Sequence, residues 1–363
     1  MSQKLALIVL LTMLGFGSAF FFRHRSLDES RIVIPDVTQR DLASDRQQSA
    51  DMPKEQSITR IPIAGSLADR DAEVSGLAWY KNYLILLPQY PQSIGEEDGG
   101  SLFALPKADL VAFLDGRLSG PLLPVPIAFK GPDFGESIAG FEGFEAIAFS
   151  GNQAFLTIEA ETDEAVMGYL VTGTLAEDLS ELTITEALPA EIPAQSASEN
   201  KADESVLVTD DQVISLYEVN GVALNPQPKA TVFDYALLPQ VPLPFPAVEY
   251  RITDATALNE SGRFWVLNYF YKGDQDLLPK QDPLAETYGQ GATHREQETV
   301  ERLLEFAYKH EGITLTDTPP IQLALGPKGR NWEGLARLDN QGFLLVTDKF
   351  PETILAFVAN PEL

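Results

Sequence analysis

A hairpin pattern that recurs five times constrains this chain more than any other feature. Its clearest copy runs from Asn331 to Asp348, where an acidic residue opens a short apolar strand, a polar turn containing glycine follows, and a second apolar strand ends on a carboxylate. Four earlier stretches repeat the pattern less closely. Repeats spaced roughly 50 to 80 residues apart, each supplying several short strands, predict a β-propeller rather than two ordinary domains.

The ends of the chain predict how this ring closes. The first four hairpins are each followed by two candidate strands, but only Thr353 to Val358 remains after the fifth hairpin. Ser57 to Ala64 carries Ile58, Ile61 and Ile63 and could supply the missing outer strand. Joining both chain ends in one blade removes exposed strand edges. The sequence therefore predicts an all-β, five-bladed β-propeller over residues 58–363, in preference to six blades.

The amino-terminal residues 1–25 have the pattern of an export or membrane segment. Leu5 to Phe22 is an uncharged, almost wholly apolar run between Lys4 and Arg23. It is long for the core of a signal peptide and just long enough for a membrane helix, although Gly17-Ser18-Ala19 resembles a cleavage site. An uncleaved signal anchor is favoured over a cleaved signal peptide. A buried core helix fits less well, because residues 26–57 are polar and are typical of a flexible linker. We therefore expect a periplasmic or extracellular protein, membrane-anchored or secreted.

Composition limits the classes of partner and chemistry. The chain has 26 basic and 53 acidic residues and a formal net charge of −27, which disfavours nucleic acid as a partner. It contains no cysteine, so disulfides and thiolate chemistry are excluded. Its three histidines are scattered, so neither a histidine-based triad nor a zinc site is expected. We expect a monomer that binds a small anionic substrate or ligand at one local site.

Aligning the hairpins places oxygen-bearing side chains in two columns. The first column holds Ser75, Glu145, Glu204, Asp254 and Glu333, and the second, fourteen or fifteen residues later, holds Gln89, Glu159, Glu218, Asn268 and Asp348. In a propeller both columns face one mouth of the central channel, where crowded carboxylates need a cation or protons. Ca²⁺ accepts about 6–8 oxygen ligands and suits five side chains plus water. The alternative is that these acids bond to nearby backbone amides.

Two further features lie at the same mouth. The position three residues before the first column is basic in three repeats, as Lys201, Arg251 and Arg330, which predicts an anion site for phosphate or carboxylate. The alternative is that these cations balance the adjacent acids as structural pairs. A long polar insertion runs from Tyr271 to about Thr299 in the fourth repeat, and an insertion of that length is more often functional or disordered than structural.

The first column resembles the calcium-dependent apyrases, five-bladed propellers that hold an axial Ca²⁺ with one residue from each blade. Asp254 stands where that family has a serine, and the family's nucleotide-site signature is missing at Leu87-Pro88-Gln89-Tyr90. Glu333-Gly334-Leu335-Ala336 and Phe264-Trp265-Val266-Leu267-Asn268 are also similar to the phytase-like, or esterase-like, exported propellers. The resemblance implies an exported, Ca²⁺-binding propeller.

Three functional classes remain open from the sequence. The first is a Ca²⁺-dependent hydrolase of phosphate esters or nucleotides, in which the three cations neutralise developing charge and Glu159 or Glu218 acts as the base. The second is a non-catalytic propeller with structural Ca²⁺ that holds a ligand or protein at its mouth. The third is a carboxylic-ester or lactone hydrolase that uses the same metal but does not need the cations.

Overall fold

The computed structural model describes residues 52–95, 99–163, 166–185 and 188–361. The predicted signal or anchor segment and residues 26–51 of the predicted linker lie outside this part of the chain. Within the described residues no helix is long and apolar enough to cross a membrane.

The described residues form five blades of antiparallel strands, here numbered in chain order. Blade 1 consists of β2 (Val74–Tyr80), β3 (Tyr83–Pro88), β4 (Ser101–Pro106) and β5 (Val125–Lys130). Blade 2 consists of β6 (Phe141–Ser150), β7 (Gln153–Glu161), β8 (Val166–Leu175) and β9 (Glu181–Ile184), with β10 (Ala190–Pro193) paired to β8. Blade 3 consists of β11 (Asp203–Val208), β12 (Gln212–Tyr217), β13 (Lys229–Asp234) and β14 (Leu243–Pro244). Blade 4 consists of β15 (Arg251–Ala255), β16 (Arg263–Phe270), β17 (Val300–Lys309) and β18 (Gly312–Leu315), with β19 (Ile321–Gln322) paired to β17.

Blade 5 joins the two ends of the part of the chain that the structure describes. It consists of β20 (Trp332–Leu338), β21 (Gly342–Thr347), β22 (Leu355–Ala359) and, as its outer strand, β1 (Ile58–Ile61). β1 runs antiparallel to β22, with Ile58 opposite Val358 and Ile61 opposite Leu355. The prediction of a five-bladed propeller closed by the segment from Ser57 to Ala64 is confirmed. The outer strands of blades 1 and 2 also pair with each other, since β5 lies parallel to β9.

Within the described ranges, four short helices lie between strands. They are α1 (Lys107–Leu114) in blade 1, α2 (Phe134–Ser137) before blade 2, and α3 (Pro283–Tyr288) and α4 (Ala292–Glu296) in the insertion of blade 4. Short 3₁₀ turns cover Ser66–Ala68, Arg70–Ala72, Pro91–Ser93 and Gln275–Leu277. The insertion of blade 4 therefore has secondary structure of its own.

The core consists of apolar layers between neighbouring blades, because successive side chains of a strand point to opposite faces and each blade is covered on both. Between blades 5 and 1, Leu77 and Leu86 pack with Leu344. Between blades 4 and 5, Trp265 packs 5.2 Å, centroid to centroid, from Phe343. These layers hold the five inner strands around one axis, and this arrangement positions the side chains at the start of each inner strand.

Candidate functional site

Each inner strand contains a β-bulge at the same place in its hairpin. The pairing register shifts between Val74 and Gly76, between Phe144 and Ile147, between Asp203 and Ser205, between Ile252 and Asp254, and between Trp332 and Gly334. A bulge leaves one residue of the strand unpaired and turns its side chain in a new direction. The residues set apart in this way include Ser75, Glu145, Glu204, Thr253 and Glu333, so the structure defines its own first column.

This register corrects the alignment of the fourth repeat by one residue. Thr253 occupies the bulge that was expected for Asp254. Ile252 pairs with Asn268, so the second-column position of this blade falls on the next residue, Tyr269. The hydrogen bonds agree, because Ser75 Oγ donates to Phe144 O at 2.6 Å and Thr253 Oγ1 donates to Trp332 O at 2.7 Å. Each hydroxyl therefore binds the residue just before the next blade's bulge.

Asp254 instead fastens backbone between blades. Its carboxylate accepts from the amide of Ala255 at 2.7 Å and from the amide of Leu335 at 2.6 Å. Burial raises the pKa of Asp254 well above its usual value, while these backbone hydrogen bonds oppose the rise. For this residue the structure shows the alternative reading, in which an acid bonds to nearby amides.

Two glutamates of the first column and one of the second meet around a single cation, the guanidinium of Arg251. Its Nη2 lies 3.2 Å from Glu204 Oε1 and 3.2 Å from Glu333 Oε1, and its Nε donates to Glu218 Oε1. Its Nη1 donates to Asn331 Oδ1 at 3.2 Å. Arg251 is 8% exposed and Glu218 is fully buried, so this network lies in a low-dielectric environment. One arginine from blade 4 thus connects carboxylates from blades 3 and 5.

Glu145 and Glu159 complete the acidic cluster from blade 2. Glu145 Oε1 accepts from Gln89 Nε2 at 3.1 Å. Burial, followed by the charges of Glu159, Glu204 and Glu333, raises the pKa of Glu145 well above its usual value. Burial and the charge of Glu204 raise the pKa of Glu159 to about 7, against the opposing charges of Lys201 and Arg251. Both carboxyl groups therefore take up a proton at a higher pH than an exposed glutamate does.

The remaining channel groups show the same balance between burial and charge. Burial raises the pKa of Glu204 and Glu333, although Arg251 opposes the rise in both. Burial alone would lower the pKa of Arg251, but Glu204 and Glu333 raise it above its usual value. Burial also raises the pKa of Asp348, whose Oδ2 accepts from Asn331 Nδ2 at 2.9 Å. The arginine is charged, and it does not neutralise all of its acidic neighbours.

The three predicted cations do not form one cluster. Arg330 pairs with the fully buried Glu301 at 2.6 Å and lies 5.2 Å from the centroid of the Trp332 ring. The ammonium of Lys201 donates to Asn200 O at 2.8 Å, and burial lowers its pKa. Because Thr253 is the bulged residue of blade 4, Arg251 lies two residues before the column, whereas Lys201 and Arg330 lie three before it. The anion-binding role of this set stays a prediction.

A wide cleft opens above Arg251. Its volume is about 1100 Å³, and Arg251, Tyr269 and Asn331 lie in its lining together with the insertion of blade 4. Tyr271 and Phe350 are about half exposed on its walls, and the Arg70 guanidinium lies 4.9 Å from the centroid of the Phe350 ring. Lys272 and Lys328 line it as well, opposite Asp274, Glu296 and Glu298. Two other aromatic residues of this region, Trp332 and Phe270, are buried core residues.

The insertion that walls this cleft is fastened to the propeller. Asp282 caps α3 and pairs with Arg302 of β17 at 2.8 Å. Glu55, from the last residues of the predicted linker, accepts hydrogen bonds from the Thr293 amide at 3.1 Å and from His294 Nδ1 at 2.8 Å. Within the described residues, the insertion is therefore attached to the propeller by specific hydrogen bonds and an ion pair, and it forms one side of the cleft.

Calcium does not fit the channel as these residues are arranged. The oxygens of Glu204, Glu218 and Glu333 that would bind it are already engaged by the Arg251 guanidinium. Ser75 and Thr253 donate their hydroxyl hydrogens to backbone carbonyls. Across the described residues, no group of three or more histidine, aspartate and glutamate side chains has an arrangement that could hold a metal ion. Calcium binding therefore stays a prediction, and it requires Arg251 to move.

Comparisons with known proteins complete the description. No protein-family model matches the sequence, and no curated protein matches it either. One similar solved structure has 10% identity and a TM-score of 0.48, and the match covers 85% of this chain and 95% of that one. Its description says that the GH130 family of mannoside phosphorylases contains glycoside hydrolases that target β-1,2 mannosidic linkages in Candida mannan. An exo-1,5-α-L-arabinanase from a bovine ruminal metagenomic library has 11% identity, a TM-score of 0.46, and coverage of 82% and 94%. The α-L-arabinanase of Cellvibrio cellulosa has 9% identity, a TM-score of 0.42, and coverage of 78% and 90%.

These proteins resemble the chain only distantly, and their activities are not carried over to it. They are glycoside hydrolases and phosphorylases by their descriptions, and not apyrases or phytase-like propellers. The family resemblance expected from the column order and the short motifs is therefore wrong. The prediction of a β-propeller does not depend on that resemblance, since the strand order of the described residues confirms it.

Proposed function

We propose that this propeller is a hydrolase that holds a small anionic, sugar-like substrate in the mouth cleft and moves protons with the channel carboxyl groups. One observation carries the proposal: the charged guanidinium of Arg251, which lines an open cleft, binds glutamates from two blades, and the glutamates of a third blade interact electrostatically with this cluster. Glu204, Glu333 and Glu145 keep 6 to 8% of their surface exposed, so the cluster is not sealed from the mouth. Carboxyl groups that differ in protonation are the equipment of glycosidic bond hydrolysis, which needs an acid and a base or nucleophile.

Glu159 is the proton-transfer group that we assign. A pKa of about 7 allows it to exist in both protonation states near neutral pH, which favours general acid–base catalysis. Glu218, the other base considered from the sequence, is fully buried and its Oε1 accepts from Arg251, so we assign it the role of positioning that arginine.

The cleft supplies the charge selectivity. Among the described residues, Arg70, Lys272 and Lys328 form no ion pair, although the chain as a whole is strongly acidic. Three cations that form no ion pair, beside the half-exposed Tyr271 and Phe350, favour a ligand with an anionic group and a flat, partly apolar body. Such a ligand would lie between the aromatic walls with its charge toward these cations.

Two other functions have observations in their favour. A non-catalytic binding propeller is favoured by the position of Arg251, which lines the cleft in front of Glu218. Hydrolysis of phosphate esters or carboxylic esters is favoured by the cations of the cleft, which could bind a phosphate or carboxylate group. Against it, the guanidinium groups of Arg251 and Arg330 already pair with carboxylates. The test must therefore separate binding from turnover, and the bond classes from one another.

The experiment is a turnover assay of the purified protein on aryl glycosides, aryl glycosides of acidic sugars, phosphomonoesters, nucleotides, phytate and aryl esters, each with Ca²⁺ and with chelator. We expect acidic-sugar glycosides to be hydrolysed equally well in both conditions. Glu159→Gln should lower kcat by about 10²- to 10⁴-fold. Lys272→Ala and Lys328→Ala should each raise KM by roughly two- to five-fold with little change in kcat. Glu260→Gln, in an exposed turn, is the matched control.

The outcomes separate the alternatives. If only phosphoesters or only carboxylic esters were hydrolysed, the protein would be a hydrolase of that bond, and the proposal of glycosidic bond hydrolysis would be wrong. Saturable binding of an acidic sugar without turnover of any substrate would refute the hydrolase and leave the binding propeller.

A further inference from the structure

The oxygen atoms around Arg251 form a set that a metal ion also prefers. Carboxylate oxygens of Glu204, Glu218 and Glu333 and the amide oxygen of Asn331 all accept hydrogen bonds from the one guanidinium. Ca²⁺ binds carboxylate and amide oxygens in loose geometry, with about 6–8 ligands. The oxygen atoms that accept hydrogen bonds from the arginine are therefore of the kind that would bind a hard divalent cation.

We propose that Arg251 takes the place of a metal ion in this channel, and that removing its guanidinium allows Glu204, Glu218, Glu333 and Asn331 to close around a divalent cation, an arrangement that they do not have while the arginine is present. The arginine and the metal exclude each other because they need the same oxygens. The native protein is then independent of divalent ions. This inference does not rest on the proposed hydrolase activity.

A second observation supports a site at this place. Glu218 is fully buried, and its Oε2 has no hydrogen-bond partner among the described residues, while its Oε1 accepts from Arg251. A buried carboxylate oxygen without a partner has a large desolvation cost. A guanidinium reaches one oxygen of this carboxylate here, whereas a metal ion in its place could bind both, as carboxylates do in bidentate Ca²⁺ sites.

The arginine is also held in position by groups other than the acids. Its guanidinium lies 5.7 Å from the centroid of the Tyr269 ring, and its Nη1 binds Asn331, which in turn binds Asp348. Arginine suits a buried multidentate role because its planar group donates in several directions and keeps its charge. A lysine at this position has one compact charge and cannot reach all four acceptors at once.

The experiment measures the melting temperature of the native protein, Arg251→Ala and Arg251→Met with Ca²⁺, with Mg²⁺, with low-millimolar guanidinium, or with chelator. We expect the native protein to shift by less than about 1 °C with any of these additions. Both variants should melt lower than the native protein in chelator and gain on the order of 5 °C at Ca²⁺ concentrations far above Kd. Guanidinium should also raise the melting temperature of Arg251→Ala, because it restores the missing group.

Arg330→Ala is the matched control, since it removes a second buried arginine whose partner Glu301 lies outside the channel network. It should lose stability without gaining a response to Ca²⁺. An equal Ca²⁺ shift in the native protein and in Arg251→Ala would overturn the proposal, as would folded Arg251 variants that fail to bind Ca²⁺ in equilibrium dialysis. If neither variant folds alone, refolding with Ca²⁺ decides: recovery supports the inference and no recovery refutes it.

Discussion

Glu159→Gln should change how the stability of the protein depends on pH. Glu159 is almost fully buried, and its pKa rises from 4.5 to about 7, chiefly through burial and then through the charge of Glu204. In the unfolded chain the group has its ordinary pKa. Between these two values the folded state holds a proton that the unfolded state has released. The free energy of unfolding therefore falls as pH rises through this window and becomes level above it.

The size of the effect follows from the size of the shift. One pKa unit corresponds to about 1.4 kcal/mol, so a rise from 4.5 to about 7 costs the native protein on the order of 3 kcal/mol between pH 5 and pH 8. A glutamine cannot ionise and escapes this loss. We expect Glu159→Gln to be within about 1 kcal/mol of the native protein at pH 5 and more stable by roughly 2–3 kcal/mol at pH 8.

The assay is urea unfolding followed by tryptophan fluorescence at several pH values from 5 to 8. Other acids titrate over the same range, so the informative quantity is the difference between variant and native protein at each pH. Glu145, Glu161, Glu204, Lys201 and Arg251 act electrostatically on Glu159, and losing its charge should also ease the ionisation of the acidic neighbours. Glu260→Gln should give a difference that does not vary with pH. If Glu159→Gln also gave a constant difference, Glu159 would not hold a proton in the folded state.

Three further predictions concern the fold. Ile61→Ala should lower the free energy of unfolding by about 2–5 kcal/mol because it empties a buried position in the closing strand, whereas Arg60→Ala on the same strand is exposed and should change it by less than about 1 kcal/mol, both measured by urea unfolding. Gly334→Ala should cost about 1–3 kcal/mol in the same assay, because the added Cβ would lie 2.6 Å from Val346 Cγ1 and 2.8 Å from Leu77 Cγ where blades 5 and 1 meet. Arg330→Ala should cost roughly 3–5 kcal/mol, since it leaves the carboxylate of Glu301 buried without its cation, and Glu301→Gln in the same background should recover part of that loss.

The fold was predictable because its signals are local and repeated. The hairpins combine alternating apolar residues with polar turns, and five copies of a weak signal identify a propeller even where each copy alone is ambiguous. The closure was predictable for a different reason: the fifth repeat lacks a strand and the sequence before the first repeat contains one. Confirmation comes from the register of β1 against β22, with Ile61 buried opposite Leu355.

The site was only partly predictable, because one residue of bulge register decides which side chain enters the channel. In blade 4 the acidic residue attracted the alignment to Asp254, while the bulge falls on Thr253. The sequence did contain a signal for Thr253, because Ser75 shows that a hydroxyl residue can occupy the first column and Thr253 is a hydroxyl residue directly before Asp254. The role of Arg251 could not be read from spacing, because its reach of several bonds brings it to acids on blades 3 and 5.

The mouth cleft shows why local cations had to be located in three dimensions. Arg330 belongs to the predicted basic set, but it forms an ion pair with Glu301. Arg70, Lys272 and Lys328 come from unrelated loops and form no ion pair among the described residues. Pairing with an acid is decided by contacts between distant segments, so the sequence gives the number of cations but not which of them are free. A ligand site in an acidic protein consists of the cations that remain unpaired after folding.

Charge balance in the channel links the arginine to the protonated acids. Five glutamates from three blades, Glu145, Glu159, Glu204, Glu218 and Glu333, share the mouth with Arg251 and Lys201. Burial, and then the charges of neighbouring glutamates, raises the pKa of Glu145 and of Glu333 well above the usual range. Two cations cannot neutralise five carboxylates in this buried environment, and protons supply part of the remaining balance. A divalent ion in place of Arg251 would add one more positive charge and release protons as it bound. Calcium binding to Arg251→Ala should therefore acidify a weakly buffered solution, and a calcium shift without proton release would show that the ion binds elsewhere.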